Sequence, residues 1–163
     1  MTTLGRTKSA LLVIDVQNQV VDGAFNKEQV ITNINAAVAK ARAAGVPVVW
    51  VQHSDEWMAI DSEDWQIVPQ LEPAAGDARV RKLYRNSFEA TTLEEVLAGL
   101  GVGHVYVCGA QTNNCVRYTT HGALERGYDV TLLSDAHTTT DFETGGKKIS
   151  AEFAVDELNS SLH

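Results

Sequence analysis

Short apolar runs alternate with segments of helical period along nearly the whole chain, and no other feature constrains the fold as strongly. Leu11-Leu12-Val13-Ile14 is a buried-strand run, and residues Glu28 to Ala44 then carry Val30, Ile31, Ile34, Ala37, Val38 and Ala41 at helical spacing before Gly45. Val46 to Val51 is a second strand, and Ala78 to Leu83 a weaker one. Thr92 to Leu100 reads as a short helix capped by Thr91 or Thr92 and closed by Gly101. His104 to Cys108 is a strand, Cys115 to Arg126 a helix with Gly127 behind it, and Val130 to Leu133 a strand; Lys147 to Leu162 closes the chain as a helix. Strands that alternate with helices need right-handed crossovers and give a parallel sheet covered on both faces. The sequence therefore predicts an α/β fold, a doubly wound, Rossmann-like parallel sheet of about five to six strands with helices on both faces. Its 163 residues suit a single domain over 1–163, long enough to bury roughly 70% of the unfolded surface without staples.

Composition narrows the function classes. Acidic residues outnumber basic ones 21 to 13 for a formal charge of −8, which disfavours a phosphate-backbone partner, so no nucleic acid is expected. No run approaches the roughly 20 apolar residues of a membrane helix. Residues 1–9 lack the apolar core of a signal peptide, and two cysteines make no disulfide framework, so a reducing, cytoplasmic location is expected.

In an open α/β sheet, ligands bind beyond the carboxyl ends of the strands. The reactive side chains expected there are Asp15, His53, Lys82, Cys115, Asp135 and His137. Cys108 belongs to an apolar strand and reads as core, and its spacing from Cys115 is not that of a redox pair. With Thr112 as N-cap, Cys115 falls in the first helical turn, where free N–H groups stabilise a thiolate and lower the thiol from about 8.5. A carboxylate beside such a thiol acts as general base, and an ammonium nearby holds both. Residues 54–77 form a long polar loop that serves as a lid, a surface excursion or an oligomer contact. Candidate pocket residues are Gln17, Phe25, Trp57, Trp65, Tyr84 and Tyr118, with Arg81 or Arg85 to hold a carboxylate; Arg117, two past Cys115, should point away.

Five blocks, "LLVIDVQNQVV" (11–21), "VPVVWVQH" (46–53), "DWQIVPQLEPAAGD" (64–77), "RKLYRNSFEATTLEEVL" (81–97) and "CGAQTNNCVRYTTHGALERGYDVTLLSDAHTT" (108–139), resemble the isochorismatase-like cysteine hydrolases, relatives of nicotinamidase and N-carbamoylsarcosine amidase. The resemblance implies a catalytic triad of Asp15 as general base, Lys82 as supporting cation and Cys115 as nucleophile. It also implies a cis peptide at Ala110–Gln111 that lets the backbone N–H groups of Gln111 and Cys115 form an oxyanion hole. The reaction so implied is hydrolysis of a C–N bond in a small amide or ureido substrate through a thioester, and the assembly a homo-oligomer, a dimer or tetramer. The C-terminus is short beside the family's, which would leave part of the site to a neighbouring subunit. Nicotinamidases bind a metal through Asp-x-His and a later histidine; here His53 is followed by Ser54-Asp55-Glu56-Trp57, with no histidine before His104. Neither metal nor cofactor is therefore expected.

Rival readings differ in testable ways. Isochorismatase-type vinyl-ether hydrolysis and a non-catalytic binding or scaffold role are the alternatives, and intact Asp15, Lys82 and Cys115 argue against the scaffold. A receiver domain needs more acids at the first strand, and a dinucleotide-binding domain needs Gly-x-Gly-x-x-Gly, which "DVQNQVVDGAF" lacks.

Overall fold

The computed structural model describes residues 3–162. Five strands, β1 (Lys8–Ile14), β2 (Val48–His53), β3 (Ala78–Lys82), β4 (Val102–Ala110) and β5 (Asp129–Thr138), make one parallel sheet in the order β3-β2-β1-β4-β5. Alternation along each strand assigns its two faces. Leu11 and Val13 of β1 pack with Val30, Ile31, Ile34 and Val38 of α1 (Lys27–Ala43), together with Val68 and Leu71 of the 54–77 segment. Leu12 and Ile14 pack on the opposite side with α2 (Leu93–Gly99), α3 (Arg117–Glu125) and α4 (Ala151–Ser161), through Leu93, Leu97, Ala123 and Leu158. This is the doubly wound α/β fold the alternation predicts.

The elements differ from the sequence reading in three places. The closing helix begins only at Ala151, where the Ser150 hydroxyl accepts from the Phe153 N–H at 3.1 Å. Lys147–Ile149 (β7) instead pairs antiparallel with Phe142–Thr144 (β6) across Gly145-Gly146. Both glycines have positive φ (57° and 75°), the requirement of a two-residue hairpin turn. Strand β5 runs on to Thr138, so Asp135 and His137 lie inside it rather than beyond it. The expected helix from Cys115 opens with a π-helical turn, Thr112–Val116, before α3. Thr112 does not cap it: its buried hydroxyl is bonded to His137 Nδ1 at 2.8 Å.

The 54–77 segment is stitched to the end of β1. Gln17, fully buried, donates its amide to the carbonyls of His53 and Trp65, both at 2.9 Å, and accepts from the His53 N–H at 2.9 Å. Backbone bonds Asn18 N–H to Gln66 O and Val68 N–H to Val16 O continue the seam. Met58, Trp65, Val68 and Leu71 are buried beneath it. On the other side of β1, Gly109 brings β4 against the strand end. A Cβ at Gly109 would lie 2.0 Å from the Ile14 carbonyl oxygen, and its φ is 122°. Only glycine permits that approach, which sets the turn carrying Cys115 beside Asp15.

Candidate active site

Residues at the carboxyl edge of the sheet follow from strand period and register. Lys82 and His53 are register partners on β3 and β2. They extend the rows of Val80 and Val51, whose side chains face α2, α3 and α4. Asp15 follows β1 with φ 50° and its N–H bonded to the Val51 carbonyl at 2.9 Å. Cys115 stands on the π-helical turn that leaves β4. These side chains meet at a cavity of about 310 Å³ whose wall includes Asp15, His53, Arg85, Gln111, Asn114 and Cys115.

At its base Lys82 Nζ lies 2.9 Å from Asp15 Oδ2, with both side chains fully buried. The same ammonium donates to Cys115 Sγ at 3.1 Å and to the Tyr84 carbonyl at 3.0 Å, and it lies 3.2 Å from His53 Nδ1. Neither oxygen of the Asp15 carboxylate receives a hydrogen bond from the described residues, so the carboxylate is held by the Lys82 charge alone. The Ala110–Gln111 peptide bond is cis. The Gln111 N–H makes no hydrogen bond to the described residues.

The charge states follow from burial. Desolvation raises the Asp15 carboxyl above its usual range against the opposing pull of the Lys82 charge. Desolvation works against the Lys82 charge, but the charges of Asp15 and Cys115 outweigh it and hold the ammonium above its ordinary value. Desolvation and the Asp15 charge push the Cys115 thiol up to about 12, with Lys82 pulling the other way. Position in a first helical turn alone predicts the reverse for the thiol, but Cys115 sits low in a cavity beside a carboxylate rather than at an open helix end. One buried cation supports one buried anion, so Asp15 and Cys115 hold a single proton between them.

A family model described as "Isochorismatase domain" matches residues 9–154. The chain belongs to the isochorismatase family. This family member is 36% identical over 142 residues to streptothricin hydrolase of Streptomyces noursei, covering 83% of this chain and 56% of that protein. It therefore spans about half the length of that relative. It is 28% identical over 176 residues to ureidoacrylate amidohydrolase of Klebsiella pneumoniae, covering 82% of this chain and 75% of that protein. Among solved structures, an isochorismatase from Pseudomonas putida superposes with a TM-score of 0.88 at 28% identity, covering 96% of this chain and 85% of that one. The shared fold is thus an isochorismatase-family fold over almost all of the chain.

Of the side chains named from sequence, the structure gathers Asp15, Lys82, Cys115, His53 and the Gln111 backbone at one edge. It does not gather the candidate pocket residues in the same way. Gln17 spends its amide on the His53 and Trp65 backbone and has no surface. Phe25 borders a separate depression with Gly23, Thr140, Asp141 and Ala151. Trp65 is buried under the Arg81 guanidinium. Trp57, Tyr84 and Tyr118 line an exposed groove that adjoins the cavity, and Arg85 lines both. The Arg85 guanidinium rests over the Tyr118 ring, 5.6 Å from its centroid. Arg117 pairs with Glu157, away from the site. His137 is bonded to Thr112 and, at 2.8 Å, to Asn159, while Asp135 is exposed. Asp55, Met58 and Asn114 were not singled out as pocket residues. Asn114 had a signal, its place beside Cys115 in the same turn; Met58 had none, because only the folded 54–77 segment carries it to the wall. Among the described residues no helix is long and apolar enough to cross a membrane, and no group of three or more His, Cys, Asp or Glu is arranged to hold a metal ion.

Proposed function

We propose that the protein is a cysteine hydrolase that cleaves a C–N bond in a small amide or ureido substrate, with Cys115 as nucleophile, Asp15 as general base and acid, and Lys82 as the cation that holds them. One observation carries this reading: a buried ammonium 2.9 Å from a carboxylate and 3.1 Å from a thiol on a cavity wall. The names of two relatives, a streptothricin hydrolase and a ureidoacrylate amidohydrolase, support the same chemistry.

Asp15 removes the thiol proton, and because Lys82 faces both groups the negative charge moves from oxygen to sulfur without changing the net charge of the site. The sulfur attacks the substrate carbonyl carbon. The developing oxyanion accepts from the Gln111 and Cys115 N–H groups, a type of contact whose loss costs roughly 10²–10³ in rate. Protonated Asp15 gives its proton to the departing nitrogen, the C–N bond breaks, and ammonia or an amine leaves a thioester. Asp15, again a carboxylate, takes a proton from water as the oxygen attacks the thioester; the C–S bond then breaks and Asp15 returns the proton to sulfur.

The metal-independent part of the reading rests on His53. Its Nδ1 faces the Lys82 ammonium, which repels a cation there, and its Nε2 has one carboxylate beside it, Asp55 Oδ2 at 3.3 Å, a smaller donor set than the three protein ligands of a catalytic metal site. An assembly of several copies is part of the proposal, supported by Trp57, Leu83, Tyr84 and Tyr118, which stand exposed along one groove; light scattering tests it. The activity is tested by ammonia release from a panel of small amides and ureido acids, with Cys115→Ala beside the wild type. Turnover that disappears in the variant supports the hydrolase. Turnover that survives in Cys115→Ala removes Cys115 from the mechanism.

A further inference from the structure

Strand β5 does not run evenly beside β4. Val107 is the register partner of Leu132 and Gly109 that of His137, so β4 advances two residues where β5 advances five. The extra residues form a bulge, a device that re-aims a side chain. Two of its carbonyls are taken by helices: Asn33 of α1 donates to Asp135 O at 2.7 Å, and Asn159 of α4 donates to Ser134 O at 3.0 Å. Beyond the bulge the His137 ring, 1% exposed, lies between Asn159 Oδ1 and the hydroxyl of fully buried Thr112, each at 2.8 Å. Thr112 opens the π-helical turn that carries Cys115, directly after Gln111.

Every proton along this path has one place. A carbonyl only accepts, so the Asn159 amide must turn its NH₂ to Ser134 and its oxygen to the ring. His137 Nε2 then carries the ring hydrogen and donates it, which leaves Nδ1 an acceptor. The Thr112 hydroxyl therefore donates to Nδ1. We infer that His137 is a positioning residue that ties the Cys115 turn to β5 and α4, the direction of its hydrogen bonds being set at the Ser134 carbonyl. The inference rests on the assignment of Cys115 as nucleophile. The turn must hold Sγ 3.1 Å from Lys82 Nζ, and misplacing a reacting group by about 1 Å costs up to roughly 10²-fold in rate. A second tie, Thr139 Oγ1 to Asn113 Oδ1 at 2.7 Å, does not involve the ring and is untouched by the variants below.

The two ring nitrogens can be replaced one at a time. In His137→Asn the amide stands where Nδ1 stood and keeps Thr112, but it falls short of Asn159. In His137→Gln the longer amide reaches the place of Nε2 and keeps Asn159, but Thr112 loses its partner. Each variant gives up one ring hydrogen bond, so their urea midpoints should fall alike. The turn should respond to only one of them. Hydrogen–deuterium exchange over 111–118 should quicken roughly tenfold or more in His137→Gln and stay near wild type in His137→Asn. Turnover of whichever small amide or ureido acid the wild type hydrolyses should split the same way, with kcat down roughly tenfold or more in His137→Gln alone.

Thr112→Val should match His137→Gln, and Thr112→Ser, which keeps the hydroxyl, should behave as wild type. The double variant Thr112→Val/His137→Gln should be no worse than either single, since both changes remove one bond. In a nitrogen–proton correlation spectrum the His137 ring signals, identified by their loss in His137→Gln, should show the proton on Nε2. A proton on Nδ1 would overturn the inference, as would equal exchange over 111–118 in wild type, His137→Gln and His137→Asn. Turnover that merely tracks the urea midpoint in both variants reduces His137 to packing and overturns it too. If the turn loosens in His137→Gln while kcat holds and Cys115→Ala is inactive, the role of His137 falls and the hydrolase stands. If turnover survives in Cys115→Ala, the nucleophile assignment falls and takes the inference with it.

Discussion

Replacing Lys82 with methionine keeps an unbranched apolar stem one heavy atom shorter and removes the charge, which tests mainly the electrostatic part of the site. Asp15 and Lys82 are both fully buried and 2.9 Å apart. Breaking such a pair from one side leaves an uncompensated charge and costs about 3–5 kcal/mol, a large share of the roughly 5–15 kcal/mol that holds a domain together. The carboxyl of Asp15, already raised by burial with Lys82 present, rises further without it. A folded-state value above the unfolded one means stability that is full at low pH and lost as pH rises through the folded value. Lys82→Met should therefore unfold at markedly lower urea at pH 7 and recover part of the loss at pH 5. Asp15→Asn/Lys82→Met, with no charge left to bury, should regain most of the stability while remaining inactive. The assay is urea denaturation followed by tryptophan fluorescence for the four species of the cycle. A Lys82→Met protein within about 1 kcal/mol of wild type, or a double variant no more stable than that single one, would refute the claim that the pair is a desolvated ion pair.

Other expectations follow from particular contacts. Gly109→Ala places a Cβ 2.0 Å from the Ile14 carbonyl oxygen at a φ of 122°; strain and overpacking together should cost roughly 2–6 kcal/mol in denaturant titration. Burial holds His137 below its ordinary value, so the unfolded chain takes the proton first and stability should fall as pH drops below the usual histidine range. His137→Gln should flatten that slope in thermal melts between pH 5 and 8. Gln17→Ala cuts three hydrogen bonds to the His53 and Trp65 backbone; limited proteolysis should then cleave within 54–77, where the wild type resists.

Much of this molecule is legible in its sequence because strand and helix periods are local signals. The apolar runs Leu11 to Ile14 and His104 to Cys108 lie within strands of the parallel sheet, and Val46 to Val51 overlaps a third that begins at Val48. Asp15, Lys82 and Cys115 were legible for a topological reason, since each ends or follows a strand and parallel strands deliver their carboxyl ends to one edge. What was not legible depends on long-range contact. Gln17 is a candidate pocket residue by sequence, yet the 54–77 segment folds over it and consumes its amide. Thr112 has the chemistry of a cap, but His137, far along the chain, claims its hydroxyl. The thiol departs from its local signal for the same reason: helix position is local, whereas the burial and the Asp15 charge that raise it come from neighbouring elements. The hairpin at Gly145-Gly146 carried a local signal that the helical pattern behind it obscured.

Lys82 belongs to β3, the outer strand, and Asp15 to the end of β1, with β2 between them. Neighbouring strands stand about 4.8 Å apart, so the ammonium bridges a gap of roughly 9–10 Å between backbones. That span acts as a ruler. Every shorter polar side chain stops over β2, and arginine, which is long enough, spreads its donors in a flat fork that cannot serve a carboxylate, a carbonyl and a sulfur around one atom. A library holding all twenty amino acids at position 82, selected for turnover, should return lysine alone, whereas position 85, at the open rim of the same cavity, should accept many.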